Sequence, residues 1–427
     1  MRKYSIRAVV SYSMMVMLGC GSVLQAQTPQ TSYLTYHDYL EKVNAGNLDY
    51  AAQKLNVSAA RADVIAAHVF NDPQISVDYT NNQDHALHMG QSVEVGITQT
   101  LSMGKRGAGI RMARSESELS ETLLADYFRN LRADATIAFF EVQKQKQLYE
   151  VKRSSYQDLL ELAKSDSIRF ATGKIMEVEA IQSKLEAGIM HNEVIQAETD
   201  LKNACCSLSL MMGTLSKDTL YLPKGELGDV ERPFSLDHLM TYAVDNRADL
   251  VAALKNTEVA RRAVTVARRD KLPDVDVSLS VSHNNRVRNE EAPAPNFNGI
   301  TAGIAFPLKF SALNKGTVQA AKFRAQQAEA QYNQARLQVQ TEVVRAYQQF
   351  QSLSVQVKHY RNGMLSQAKE VLKGKVYSYN RGEVPLLEIL NAQRTYDEVQ
   401  AQYIETLYNY NVALAELERT AGIWDIQ

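Results

Sequence analysis

Proline is missing from two long stretches of this chain, Lys105 to Phe170 and Lys315 to Tyr379. Proline removes a backbone N–H and crowds the preceding turn, so its absence leaves both stretches free to run as uninterrupted helix. Cysteine is scarce, with three in 427 residues. Cys205 and Cys206 are adjacent, and neighbours on a helix do not face each other. They read as small apolar helix positions rather than as redox or metal chemistry. Past the N-terminus no unbroken apolar run reaches ~18 residues, which excludes a membrane-spanning helix. There is no phosphate-binding glycine loop, no Gly-x-Ser-x-Gly and no cysteine cluster, so no catalytic grouping, cofactor or metal site emerges and the chain reads as non-enzymatic. His85 and His88 lie three apart in a polar loop. An exposed pair there is more often solvated than metal-bound.

Residues 1–26 read as a secretory signal. Arg2, Lys3 and Arg7 form a basic region, Ala8 to Leu18 is mostly apolar, and Leu24-Gln25-Ala26 precedes a plausible cleavage point. Gly19-Cys20 leaves lipidation of Cys20 as an alternative. Removing the segment takes three of 47 basic residues and none of 48 acidic ones, leaving 44 against 48. That weakly acidic balance argues against a nucleic-acid partner.

What is present is a duplication. Thr35, Asp49 and Pro73 recur as Ser235, Asp249 and Pro273 at a separation of 200. Gly173, Glu179, Leu201 and Gly213 match Gly382, Glu388, Tyr410 and Gly422 at 209. The spacing divides the mature chain into a first repeat, 27–213, an irregular linker, 214–234, and a second repeat, 235–427. Residues 27–34 read as a polar leader. In each repeat a helical period comes first, Thr35 to Val69 and Ser235 to Lys271, and ends at a proline.

After each proline the period changes from helix to strand. Ile75, Val77 and Tyr79 alternate with polar residues, and Val93, Val95 and Ile97 do the same after a loop. The second repeat answers with Val275, Val277, Leu279 and Val281, then Ile300, Ala302, Ile304 and Phe306. Runs of this length suit tilted strands crossing a bilayer, apolar towards lipid and polar towards a wet lumen. Four strands cannot close a barrel, and an open edge cannot sit in lipid with unpaired N–H and C=O groups. If these are membrane strands, the barrel is shared between chains.

The proline-free stretches follow. A continuous helix of that length is ~95–100 Å long at 1.5 Å per residue, far more than a globular domain requires. Gly173 and Gly382 then stop the ascending helices in a left-handed conformation. Pro385 suits the first position of the helix that returns. That helix carries a stripe from Ile389 through Tyr396, Tyr403 and Tyr410 to Leu417, spaced for coiled-coil-like packing. Glu179 and Glu388 sit at matched places past each tip. They read either as exposed acids favoured by the helix dipole or, in an oligomer, as a ring at a constriction.

The order of elements, the segment Arg381-Gly382-Glu383-Val384-Pro385-Leu386-Leu387-Glu388 and the end from Tyr410-Asn411 to Ala421-Gly422 resemble the TolC-like outer membrane efflux protein family, over about residues 33–423. The resemblance implies a mainly α fold with a small transmembrane β-barrel. Three chains would complete a 12-stranded barrel and an α-helical tunnel through the periplasm of a Gram-negative bacterium. The function implied is a passive exit duct for an inner-membrane pump joined by a periplasmic adaptor. The family's tip positions, which dock the adaptor, carry over to Gly173, Ile175, Arg381, Gly382, Val384 and Leu387. Its gate acids carry over to Glu179 and Glu388. Gln182 and Asn391 stand where some relatives have a second acid. Leu101-Ser102-Met103-Gly104-Lys105-Arg106-Gly107 resembles a Gly-Lys-Arg segment of the heavy-metal branch. The pump expected is of the proton-driven resistance-nodulation type, carrying drugs or metal ions. The rivals are the duct of an ATP-driven secretion system and, from another class, a periplasmic coiled-coil scaffold with a soluble β-hairpin cap.

Overall fold

The structure is a computed structural model that describes residues 30–83, 88–215, 219–228, 232–308 and 315–424. The expected signal segment, Cys20 and His85 lie outside the described residues.

The first repeat opens with strand β1 (Gln30–Leu34) and helices α1 (Tyr36–Gly46) and α2 (Leu48–Ala67). Strands β2 (Gln74–Asn81) and β3 (Gln91–Ser102) follow, then helices α3 (Lys105–Ala171) and α4 (Glu177–Met211). Strand β4 (Thr219–Pro223) lies in the linker. The second repeat runs α5 (Leu236–Asn246), α6 (Ala248–Arg269), β5 (Asp274–Asn284), β6 (Phe297–Ala305), α7 (Lys315–His359), a π-turn at Tyr360–Met364, α8 (Leu365–Asn380) and α9 (Leu386–Ala421).

Three expectations are corrected. The leader is not featureless: β1 pairs in parallel with β4, Gln30 with Thr219 through Leu34 with Pro223, so part of the linker is a strand too. Each five-residue run is too short to signal a strand by itself.

The helices expected over 35–69 and 235–271 each divide, at Asn47 and Arg247, where the backbone turns extended (ψ 118° and 126°). The second break has neither Gly nor Pro beside it; the first follows Gly46, where a Cβ would lie 2.3 Å from Met212 O, and in both a tertiary contact holds the break. Asn47 Oδ1 accepts from Tyr50 N at 2.8 Å, an N-cap, while its Nδ2 donates to Met211 O at 3.1 Å. Arg247 Nη1 donates to Thr420 O at 3.0 Å. Met211 and Thr420 are repeat equivalents, so both repeats tie the break to the end of the returning helix in the same way. In the first repeat the backbones nearly touch there. A Cβ on Gly213, which has φ +66°, would lie 2.0 Å from Gly46 O.

Third, the long helix is unbroken only in the first repeat. α3 runs 67 residues, about 100 Å at 1.5 Å per residue. Its counterpart is interrupted where Gly363 leaves helical geometry. Position 154, its equivalent, is Ser, and α3 passes through it undisturbed. Glycine lowers the cost of leaving the helix, and single π-turns are a usual form of such interruptions.

The four strands expected to cross a bilayer form one antiparallel sheet in the order β2-β3-β5-β6. The two hairpins are joined across the duplication by the β3–β5 pairing, Ser92 with Asn284 through Ser102 with Asp274. The register sets Ile75 beside Ile97, Ile97 beside Leu279 and Val277 beside Ile304, so every apolar run falls on one face. That face is exposed: Ile75, Val77, Leu279, Ile300 and Ile304 all lie open.

The main core sits below the sheet and unites both repeats. Tyr39, Phe139, Leu208, Val339, Val343, Phe350, Tyr410 and Leu417 are buried in one cluster. Phe350 stacks on Tyr410 with centroids 5.2 Å apart and takes Phe234 edge-on at 5.5 Å. The apolar stripe of the second long helix, from Ala321 through Val343 to Val357, is largely buried. A smaller cluster at the far end holds Leu159, Met190, Tyr379, Leu386 and Leu390.

Candidate functional site: two matched hairpin tips

At the first tip Gly173 has φ +72°; its N–H donates to Phe170 O at 2.9 Å and Lys174 N donates to Arg169 O at 2.8 Å. At the second, Gly382 has φ +77°, Gly382 N donates to Tyr379 O at 2.9 Å and Glu383 N to Ser378 O at 3.0 Å. These are the paired bonds of a Schellman stop. A Cβ at either glycine would meet nothing within 4 Å, so conformation alone, not space, calls for glycine. Pro385 stands one place earlier than expected, at the N-cap of α9, with φ −74° and ψ 161°. Met176 holds the same place in the first repeat with φ −75° and ψ 153°.

The expected docking residues cluster at these turns. Gly173, Arg381, Gly382 and Leu387 are exposed, whereas Ile175 and Val384 are half-buried. Val384 packs against the tip cluster. Leu386 is buried while Leu387 is 55% exposed, so the returning helix presents one leucine and seats the other. Arg381 is already held, by Glu383 at 2.8 Å and by the Tyr377 hydroxyl at 2.8 Å.

The two expected gate acids occupy equivalent positions with different partners. Glu179 Oε2 accepts from Met176 N at 3.2 Å, the backward bond of a capping box. Glu388 has no such donor, because Pro385 lacks an N–H. Its carboxylate accepts from Lys375 Nζ at 2.8 Å instead.

The repeat equivalent of Lys375 is Asp166, and here the structure places a group that the sequence reading missed. Asp166 is fully buried on α3, and its Oδ1 accepts from Tyr379 OH at 2.8 Å. Arg169 stacks over the Tyr379 ring at 4.6 Å and brings Nη1 to 3.8 Å from Asp166. Among the described residues no group lies within hydrogen-bonding geometry of Asp166 Oδ2. Burial pushes the Asp166 carboxyl above its ordinary range, against the pull of Tyr379, Ser183 and Arg169. Burial, and then the bond to Asp166, push the Tyr379 phenol up. One signal was available: position 166 is acidic where 375 is basic, and position 379 is Tyr where 170 is Phe.

A second buried link lies further along. Ser155 on α3 donates to Asp397 on α9, and Gln393 Nε2 reaches the same Oδ1 at 3.0 Å. Asp397 is 4% exposed, and burial raises its carboxyl too. Between the two links a cavity of about 1110 Å³ separates α3 from α8 over a floor of α9. Its α3 wall carries Asp158 and Glu161, its α8 wall Lys369 and Lys373.

Nothing in this arrangement supplies a nucleophile with a base. Among the described residues no group of three or more His, Cys, Asp or Glu could hold a metal ion. No helix among them is long and apolar enough to cross a membrane.

Residues 239–423 match a family model described as outer membrane efflux protein. The chain is 23% identical over 394 residues to the cobalt-zinc-cadmium resistance protein CzcC of Cupriavidus metallidurans, covering 91% of this chain and 90% of that one. It is 21% identical over 351 residues to the outer membrane protein TolC of Vibrio cholerae, covering 80% and 79%. The solved structure of CusC superposes with a TM-score of 0.73 at 17% identity, over 90% of this chain and 91% of that one. With its second repeat matching the family model, and with relatives and a shared fold spanning both repeats, the chain is similar along most of its length to outer membrane efflux proteins.

Proposed function

We propose that the chain is the subunit of a passive exit duct in the outer membrane, one part of a tripartite efflux system. The observation that carries this is the sheet. Its apolar face is exposed, and β2 and β6 each pair on one side only. An apolar face needs lipid, yet lipid does not tolerate the open edges. Closure between copies answers both demands. Three copies of a four-stranded sheet give 12 strands, an even number within the range of bacterial barrels. The homotrimer would continue as an α-helical tunnel built from helices about 100 Å long.

The tips then lie at the far, periplasmic end. Exposed Gly173, Arg381, Gly382 and Leu387, with Ile175 and Val384 behind them, are the proposed contact with a periplasmic adaptor. Glu179 and Glu388 are the proposed acids of the entrance, now with Lys375 as a counter-charge to Glu388. Energy comes from the inner-membrane pump, proposed to be of the proton-driven resistance-nodulation type. Metal ions are the favoured cargo over drugs, supported by likeness to a cobalt-zinc-cadmium resistance protein along nine-tenths of both chains.

Fractionation tests the reading. The chain should be recovered from the outer membrane as a heat-modifiable trimer; a monomer in the soluble periplasm would sink the duct and favour the scaffold. Deleting the gene should lower tolerance to divalent cobalt, zinc or cadmium. Unchanged metal tolerance with lowered drug tolerance would reassign the cargo and leave the duct standing.

A further inference from the structure

Where the sheet meets the helices, the chain gathers positive charge. The stretches 103–114, 261–274 and 315–324 lie together at one end of the sheet: Lys105 reaches Asp270 and Asp274, and Ala267 packs on Val318 and Ala321. They hold four, five and three Lys or Arg, with Asp270 and Asp274 their only acids. The foot of β2, residues 68–73, adds only Asp72. The chain as a whole is balanced, at 47 basic and 48 acidic residues, so this collar is a local excess.

Lys105 engages both of those acids, at 3.2 Å and 2.9 Å. Further from the sheet the charges pair off, Arg61 with Glu121 at 2.7 Å and Lys255 with Glu118 at 2.6 Å. In the collar Arg262 still pairs with Glu258 at 3.1 Å and Arg261 approaches Glu329 at 4.0 Å, but four other cations have no such partner. Arg111, Arg114, Arg268 and Lys322 are exposed, and among the described residues no carboxylate pairs with them. Large apolar side chains stand between the cations. Phe70 is 65% exposed, Phe323 59% and Phe306 54%. Arg106 lies over the Phe70 ring at 3.7 Å. This mixed rim continues directly into the exposed apolar face of the sheet.

An apolar band bounded by aromatics and long cationic side chains suits a headgroup layer, where the rings sit at the interface and the cations reach phosphate. We propose that the collar binds anionic phospholipid headgroups in the bilayer leaflet next to the helices. The proposal rests on the outer-membrane reading and adds a lipid preference to it. The occupant follows from charge: guanidinium and ammonium groups that outnumber the acids beside them match a surface of phosphates rather than a zwitterionic or neutral one.

The test uses the full chain, purified from membranes and reconstituted in nanodiscs of phosphatidylcholine alone or with phosphatidylglycerol. Bound lipid is counted by native mass spectrometry after transfer to detergent. Wild type should retain phosphatidylglycerol over phosphatidylcholine by at least about tenfold, and the preference should shrink as NaCl is raised. The variant Arg111→Glu/Arg268→Glu/Lys322→Glu should still insert as a heat-modifiable species but lose the preference. Arg153→Glu/Lys164→Glu/Lys184→Glu, exposed positions far from the collar, should keep it. Should the triple reversal not fold, Lys322→Gln alone, with the salt series on wild type, carries the test through a partial loss. Equal retention of both lipids by wild type, or loss of preference in the distant variant, would overturn the proposal. Failure to insert into either bilayer would instead overturn the outer-membrane reading beneath it.

Discussion

The two hairpins descend from one duplicated segment and close with the same glycine turn, yet they are built to different stiffness. The first climbs as an unbroken helix of 67 residues; the second is cut at Tyr360–Met364 before it reaches its tip. At their ends the charges are exchanged: Asp166 is buried and tied to Tyr379, whereas its equivalent Lys375 reaches out to Glu388. The lesson is that a duplicated turn was kept while its surroundings diverged into complementary halves. The α3 side supplies a buried acceptor and the α8 side a donor, so the first hairpin holds the second.

The junctions below the sheet offer the largest contrast. Arg247 is 2% exposed and pairs with Asp249 at 2.6 Å and Glu342 at 2.7 Å, while Asn47 at the matched break makes only neutral hydrogen bonds. Arg247→Ala leaves Glu342 without its cation and Asp249 with Arg129 alone, at 3.5 Å, and should destabilise by about 3 kcal/mol. Asn47→Ala should cost about 1–2 kcal/mol. Denaturant unfolding of the detergent-solubilised protein would read both. Equal losses would show that the repeats share one mechanism at this joint.

Next in size is the tip link. Tyr379→Phe removes the hydroxyl donated to Asp166 Oδ1 and should cost about 1–3 kcal/mol. It should speed proteolysis near Gly382 more than near Gly173, and it should raise conductance in planar bilayers. Asp166→Asn should behave more mildly. Should the two tips be nicked equally in Tyr379→Phe, the holding role assigned to α3 is wrong.

The glycines give a matched pair of smaller effects. Gly173→Ala and Gly382→Ala each force a left-handed residue without a clash, so each should cost about 1–2 kcal/mol and the two should agree. A difference of more than about 1 kcal/mol, on the same scale, would point to strain in one turn that the shared geometry does not contain.

Acidity separates tip from junction by sign. Asp166 and Asp397 have raised carboxyls, chiefly through burial, so the folded state holds their protons more tightly. Stability at the tip should therefore rise as pH falls from neutral towards the ordinary carboxylate range. Asp249 and Glu342 are also raised by burial, but Arg247 and then Arg129 for Asp249, and Gln338 and then Arg247 for Glu342, leave both lowered. Their contribution is present above the ordinary range and is lost only as pH falls through their lower folded values. Hydrogen exchange at several pH values should show the tip tightening while the junction holds. Parallel behaviour would contradict the opposite shifts.

The smallest expected effects are at Glu179 and Glu388, the proposed entrance acids. Glu388→Ala should change single-channel conductance or cation block less than Glu179→Ala, because Lys375 already offsets Glu388. Lys375→Ala should unmask Glu388 and strengthen cation block. If neither acid matters in bilayers, helix-dipole stabilisation, worth about 0.3–1 kcal/mol, is sufficient reason for both.

Much of this was legible in residues alone. The period change after Pro73 and Pro273, the proline-free stretches and the glycines at 173 and 382 each carry a local physical signature. The break at Arg247 carried none and the one at Asn47 only the local hint of Gly46-Asn47, because both are held by bonds to Thr420 and Met211, far along the chain. β1 and β4 hid for the same reason: a five-residue strand exists only through a partner nearly two hundred residues away. Asp166, Ser155 and Asp397 sit inside ordinary helical periods, where a polar residue reads as solvated until packing shows that it is covered.

The sequence by itself determined the duplication, the order of helix and strand, the two turns and the alternation that gives the sheet one apolar face. All of these depend on interactions within a few residues, or on the strict period of the pleat. Only the tertiary structure decided where helices break, which strands meet across the repeats and which carboxylates are buried. Those outcomes depend on contacts between distant segments and on loss of water, and no local pattern encodes either.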